Sequence, residues 1–231
     1  LEISRQTHFH DGSAGRDMTK AMRSSAEADG SEQPIQPLRP VRKPSSYRDL
    51  GPVDIAALVP LVSRISEDTW NAEDARKEND FAVFHHTRHL VFRFTPRNLN
   101  PLDFYSTQAW DVWSPILLPI MHQAIEDYAF VSPEFPKVML ARLAAGHVID
   151  PHRDGAGSNL LTHKIHVPVQ TNPGAIFSSA GEERHLALGH AYEVNNIARH
   201  SVRNEGAQDR IHLVFEVFES EPQTGGRGIS R

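Results

Sequence analysis

Three residues, His152, Asp154 and His200, have the ligand types of a two-histidine, one-carboxylate metal centre. The first two lie one residue apart within Asp150-Pro151-His152-Arg153-Asp154-Gly155. Side chains alternate along an extended segment, so a pair spaced in this way projects to one side. The third ligand must come from another strand, since one strand cannot wrap an ion. Such a triad holds one face of an octahedral iron ion and leaves the opposite face open for a co-substrate and dioxygen. A lone His-x-Asp arises by chance in a chain with 14 histidines, so the reading depends on its surroundings. Each member also has a structural alternative: a turn-stabilising hydrogen bond for His152 and Asp154, an ordinary barrel histidine for His200.

The elements that must position these residues come late in the chain. Residues 138–145, 163–171, 175–178, 185–188, 191–195, 200–204 and 210–219 are short strand candidates, separated by Gly, Pro, Asn and Asp turns. Before them, Ile55, Leu58, Val59 and Val62 recur at helical spacing, with Pro60 as a kink. Trp70 follows in a polar loop. Residues 81–94 form a strand candidate, with Leu90, Phe92 and Phe94 on one face. A second helix spans 115–130, with Ser114 as N-cap and Pro115 at its first position. Helices first and then many short strands imply a mainly β fold, an antiparallel barrel or jelly roll with flanking helices packed outside.

The last strand adds a second chemical feature. Ile211, Leu213, Phe215 and Val217 form one wholly apolar face, while Arg210, His212 and Glu216 share the other. A jelly roll whose outer face is covered by helices permits polar groups to line an inner cavity. A hairpin from His200 through the turn at 204–209 to Arg210 places the guanidinium in the cavity of the metal. That geometry suits a dicarboxylate chelating iron at one end and pairing bidentately with arginine at the other. A salt-bridged strand terminus is the alternative for Arg210. His85, His86 and His89 read as surface or hydrogen-bonded strand histidines, because adjacent histidines on a strand point to opposite faces. Arg153 reads as a surface residue, and His147 and His212 carry no assignment.

Composition bounds the remainder. The chain has 231 residues, net charge −5 and no cysteine, which excludes disulfides, thiolate nucleophiles and Cys-based metal sites. The acidic balance argues against a nucleic-acid surface. No apolar run is long enough to span a bilayer and no signal peptide is visible, so a cytoplasmic location without a membrane partner is expected. The chain opens at Leu1, with Met18 as an alternative start. Residues 1–50 are polar and Pro-punctuated and are expected to form a disordered or loosely attached tail. Within it Arg39, Arg42 and Lys43 form a basic cluster, read as a solvated linker. Residues 51–221 form one domain (helical part 51–136, jelly-roll core 137–219), and 222–231 a flexible C-terminal tail.

With His152-Arg153-Asp154, Lys164-Ile165-His166, His200 and Arg210 in that order, residues 138–219 resemble the aspartyl/asparaginyl β-hydroxylase family of Fe(II)- and 2-oxoglutarate-dependent oxygenases. The resemblance implies a double-stranded β-helix, a cupin-like jelly roll. It implies Fe(II) on His152, Asp154 and His200, and 2-oxoglutarate held by Arg210 with help from Lys164 and His166. No catalytic residue beyond the metal ligands is implied. The animal peptide hydroxylases of that family carry Gly where Asp154 stands and Arg at the position aligned with Lys164. The carboxylate here resembles bacterial amino-acid hydroxylases instead, and it favours hydroxylation over halogenation, which would need that ligand replaced by chloride. The implied reaction uses dioxygen and yields succinate and carbon dioxide. The substrate stays open between a free amino acid, a carrier-bound aminoacyl group and a peptide side chain. Two rivals remain: a non-catalytic jelly-roll module binding a small ligand, and a cupin-like metal enzyme that does not use 2-oxoglutarate.

Overall fold

A computed structural model describes residues 38–78 and 82–221. Eleven strands form two antiparallel sheets. They are β1 (Tyr47–Pro52), β2 (Thr87–Phe94), β3 (Tyr105–Ser106), β4 (Pro133–Leu143), β5 (Val148–His152), β6 (His163–Gln170), β7 (Ala175–Ser179), β8 (Glu182–His185), β9 (His190–Val194), β10 (His200–Asn204) and β11 (Arg210–Glu219). The seven-stranded sheet has the order β1-β9-β6-β11-β4-β2-β3, and the four-stranded sheet the order β5-β10-β7-β8. Neighbours along the chain repeatedly fall in different sheets, which is the winding of a jelly roll.

The alternation of β11 decides how the two sheets are used. Ile211, Leu213, Phe215 and Val217 enter one apolar core together with Ile165 and Val167 of β6 and Val138 and Leu140 of β4. Helix α3 (Gln108–Ala124) supplies Trp110, Leu117, Ile120 and Met121 to that same core. Full burial of each such side chain contributes about 2 kcal/mol. The opposite face of β11 carries Arg210, His212 and Glu216, all buried, and turns toward the four-stranded sheet. A smaller cluster of Leu143, Ile149, Phe177, Leu186, Tyr192, Val194 and Val202 closes the space between the sheets.

Several local expectations are corrected. α3 begins at Gln108, not Pro115, and ends at Ala124. Its apolar stripe from Trp110 to Ala124 outweighs the two interior prolines, Pro115 and Pro119. The helix expected around Ile55–Val62 is one turn, α1 (Val59–Val62), with Pro60 in its first turn, where proline starts a helix and does not kink one. Trp70 is buried in α2 (Glu67–Asp74), whose N-cap Ser66 accepts from Thr69 N at 3.1 Å. Ala82–Phe84 is a 3-10 turn, so β2 starts only at Thr87. The strand expected at 185–188 lies at Glu182–His185. The strand expected to begin at 138 already begins at Pro133, as β4.

Of the stretch 1–50 read as a tail, residues 38–50 belong to the described fold, and β1 pairs with β9. Residues 1–37 and 222–231, the rest of the two expected tails, lie outside the described residues. No helix among the described residues is long and apolar enough to cross a membrane.

Candidate metal and co-substrate site

His152 ends β5 and His200 begins β10, and the two are register partners across that antiparallel pair. Opposed side chains in such a pair stand about 5 Å apart at Cβ, and here the imidazole centroids are 4.2 Å apart. Asp154 follows two residues after His152, where the chain has left the strand. Its Oδ1 lies 3.7 Å from His152 Nε2 and 3.8 Å from His200 Nε2. One ligand atom from each residue falls within 4.8 Å of the others, and no other such group of three occurs among the described residues.

The backbone selects which nitrogen of each ring faces the site. His152 Nδ1 is 2.7 Å from the carbonyl of Asp150, and His200 Nδ1 is 3.0 Å from that of Ala198. A carbonyl accepts only, so each Nδ1 carries the proton and each Nε2 keeps its lone pair. His152 Nε2 is buried and without a hydrogen-bond partner among the described residues. Burial, above all, lowers the pKa of His200, which favours the neutral ring a metal needs. Asp154 Oδ2 accepts from Lys164 Nζ at 2.6 Å and from Asn196 Nδ2 at 3.0 Å, whereas Oδ1 takes no hydrogen bond among the described residues. Burial would raise this carboxyl's pKa, but Lys164, His200 and the two hydrogen bonds hold it well below the usual carboxylate range. Two open imidazole nitrogens and one open carboxylate oxygen fit a divalent ion of intermediate softness such as iron.

The triad opens onto a cavity of about 410 Å³ between the sheets. His166, Arg210 and Glu216 line it from the seven-stranded sheet, and Phe177 and Val202 from the four-stranded one. Arg210 is 3% exposed, and its Nη2 donates to His212 Nδ1 at 2.8 Å. No carboxylate among the described residues pairs with it. Burial alone pulls its pKa down, to about 9, so it remains cationic at neutral pH. His166 and His212 lie well below the ordinary histidine value, through burial and then the nearby guanidinium, and stay neutral.

The sequence expected a hairpin from His200 to Arg210. The chain instead crosses between sheets: β10 pairs with β5 and β7, and β11 with β4 and β6. Both residues nevertheless face one cavity. Lys164 also reaches it, but its ammonium is hydrogen-bonded to Asp154 and lies 3.9 Å from Glu216. Arg153 is exposed at the rim and donates to the Ile197 carbonyl at 2.9 Å. Phe84 packs edge-on to both His89 and His152. His89 is buried over Asp74, and His86 stacks on His147.

Two contributors escaped the sequence reading. Asn196 sits in the turn between β9 and β10, where asparagine looks like an ordinary turn former. Lys137 lies buried on β4, donating to Ser158 Oγ at 2.8 Å and Glu216 Oε1 at 3.1 Å. Its signal was present: Lys137, Met139 and Ala141 alternate with the core residues Val138 and Leu140, which aims the lysine into the cavity.

Among solved structures, the chain is similar to an oxidoreductase of the 2OG-Fe(II) oxygenase family from Burkholderia pseudomallei, with 15% identity over 64% of this chain and 76% of that one, at a TM-score of 0.48. It is similar to a non-heme monooxygenase, ThoJ, in complex with nickel, with 11% identity over 75% and 74% of the two chains, at a TM-score of 0.47. A cupin domain from Bordetella pertussis shares 20% identity over 37% of this chain and 91% of its own, at a TM-score of 0.29. No curated protein matches the chain. The family model for aspartyl/asparaginyl beta-hydroxylase matches residues 102–220, just over half of the sequence. The chain belongs to the aspartyl/asparaginyl β-hydroxylase family, and is an oxygenase of the hydroxylase type.

Proposed function

We propose that the chain is an Fe(II)- and 2-oxoglutarate-dependent dioxygenase that hydroxylates an amino-acid side chain, either free, in a peptide or on a carrier. The observation that carries this reading is Arg210, a buried cation without a carboxylate partner among the described residues, facing the cavity that also holds the open triad. A buried unpaired guanidinium is costly, and a dianionic co-substrate supplies its missing partner.

An Fe(II) ion on His152, Asp154 and His200 supplies the dioxygen chemistry, and the overall balance is C–H + O2 + 2-oxoglutarate → C–OH + succinate + CO2. The chain's own residues do the remaining work. Arg210 anchors the far carboxylate of 2-oxoglutarate through its planar fork, and His212 accepts from Nη2 and so fixes the plane of that fork. His166 stands beside this pair, its Nδ1 3.4 Å from His212 Nδ1. Lys164, expected to contact the co-substrate, lines the same cavity and also donates to Asp154 Oδ2 at 2.6 Å, which holds that carboxylate ionised and oriented. Phe84, Ile149, Phe177 and Val202 keep the cavity wall apolar and exclude bulk water. The partners are therefore dioxygen and a small-molecule or peptide substrate.

The test is co-substrate turnover. The Fe(II)-loaded protein is incubated with 2-oxoglutarate, oxygen and a panel of amino acids, short peptides and carrier-bound aminoacyl groups, with succinate and product mass measured together. One panel member should give succinate and a product 16 mass units heavier in equal amounts, which is the addition of one oxygen atom. Firm metal binding without 2-oxoglutarate consumption would instead favour the cupin-like metal enzyme.

A further inference from the structure

We propose that Lys43, in the strap before the first strand, is a positioning residue for the metal centre and acts on Asp154 through Asn196. The inference rests on reading His152, Asp154 and His200 as metal ligands.

Residues 38–46 lie along the end of the barrel that holds the triad, and backbone bonds fix them there. Val41 N donates to the Leu160 carbonyl at 2.9 Å, and Asn195 N donates to that of Ser46 at 2.9 Å. Asn195 Nδ2 adds bonds to the carbonyls of Pro44 and Ser45. From this strap Lys43 points inward. Its Nζ donates to the Thr162 carbonyl at 2.6 Å and to Asn196 Oδ1 at 2.8 Å. Asn196 is buried, and its Nδ2 uses both hydrogens, on Asp154 Oδ2 at 3.0 Å and on Asn159 Oδ1 at 3.2 Å. Its own carbonyl accepts from Asp154 N at 3.0 Å.

Lys43 sets the direction of the Asn196 amide. An asparagine amide fits its space equally well in two orientations, with oxygen and nitrogen exchanged. An ammonium can only donate and an ionised carboxylate can only accept. Lys43 therefore requires Oδ1 on its side, which leaves Nδ2 for Asp154. The reversed amide would set oxygen against the carboxylate and N–H against the ammonium, losing both bonds. With Lys164 on the other flank, the two donors fix Asp154 Oδ2 and leave Oδ1 turned to the two imidazoles. Loss of a partner one bond beyond a ligand costs roughly 10- to 100-fold in metal affinity. Lys43 stands one bond further out, so the low end of that range, about tenfold, is expected.

The experiment is a Co(II) titration of the full chain, followed by the visible absorption of the bound ion. Wild type, Lys43→Met, Asn196→Ala and the double variant are compared, with Arg42→Met as the control for lost positive charge on the same strap. Lys43→Met should bind Co(II) about tenfold more weakly, and Arg42→Met should match wild type. In the Asn196→Ala background, Lys43→Met should change affinity by less than about twofold, because its route to Asp154 is already cut. A purely structural lysine would give additive losses, and that result overturns the proposal. So does wild-type affinity in Lys43→Met. Should Lys43→Met fail to fold, Lys43→Gln, which keeps a donor but not the charge, takes its place with the same cycle. If wild type takes up no Co(II), the metal reading falls and this proposal with it. If wild type binds and the cycle is additive, only the role of Lys43 is lost.

Discussion

Asp154, just beyond the end of the four-stranded sheet, and Glu216, on the inner face of the seven-stranded sheet, are two carboxylates on one cavity. Both are largely buried, and both lie near Lys164. They differ in what their oxygens do. Glu216 accepts from Lys137 on Oε1 at 3.1 Å and from Thr162 Oγ1 on Oε2 at 2.9 Å, so neither oxygen is open. Asp154 takes both of its donors on Oδ2 and keeps Oδ1 open toward two imidazole nitrogens. A carboxylate that serves the fold is closed on both sides. One that serves an ion keeps a side free, and its other side is held to aim it.

The largest effect that tests this contrast is on metal affinity. Asp154→Ala should weaken Co(II) or Fe(II) binding beyond the roughly 100-fold limit seen for outer partners, while the apo-protein stays folded. Calorimetry with the apo-protein reads both quantities. Glu216→Ala should do the reverse. Removing it leaves Lys137 buried without its carboxylate, at a cost of roughly 3–5 kcal/mol, read by urea denaturation. If Asp154→Ala unfolds the protein and Glu216→Ala abolishes metal binding, the roles are exchanged.

Arg210 sharpens the comparison, because it is a buried cation with no carboxylate partner among the described residues. Arg210→Met should leave the melting temperature of the apo-protein unchanged or raised, since an apolar side chain replaces an unpaired charge. The variant should also lose the stabilisation that 2-oxoglutarate gives the metal-loaded wild type, about 2.7 kcal/mol at a hundredfold excess over Kd. The smallest effect concerns a third carboxylate, Asp74. Although burial would raise its pKa, hydrogen bonds from His89 and Lys77 hold it below the usual range. Its folded pKa is depressed, so its contribution is present above the unfolded value near 3.8 and is lost as pH falls through the folded value. Asp74→Asn should cost about 1 kcal/mol at neutral pH, a difference that shrinks as pH falls below 3.8 and vanishes only below the depressed folded value. Acid denaturation curves of the two proteins should converge there.

The readable part of this molecule was its alternation. The two faces of β11 could be separated residue by residue, and one of them lines the cavity. The limits of β10 and β11 also match the sequence reading. What escaped was whatever depended on distance in the chain. Lys43 and Asn196 are 153 residues apart in sequence, and a lysine between prolines carries no sign of its partner. The crossing from β10 to β11 looked like a hairpin because a short turn between two strands has the same composition whether it joins neighbours or links two sheets. Glu216 was placed on the right face, yet its closure by Lys137 and Thr162 required the packing of β4 and of the turn before β6.

The measurement that tests the central claim most directly is an anaerobic absorbance titration of the apo-protein, first with Fe(II) and then with 2-oxoglutarate. The account predicts one equivalent of iron, then a weak visible charge-transfer band when the 2-oxo acid chelates it, absent in Asp154→Ala and weakened in Arg210→Met. Iron uptake with no band would contradict the co-substrate assignment. Failure to take up iron at all would contradict the triad itself.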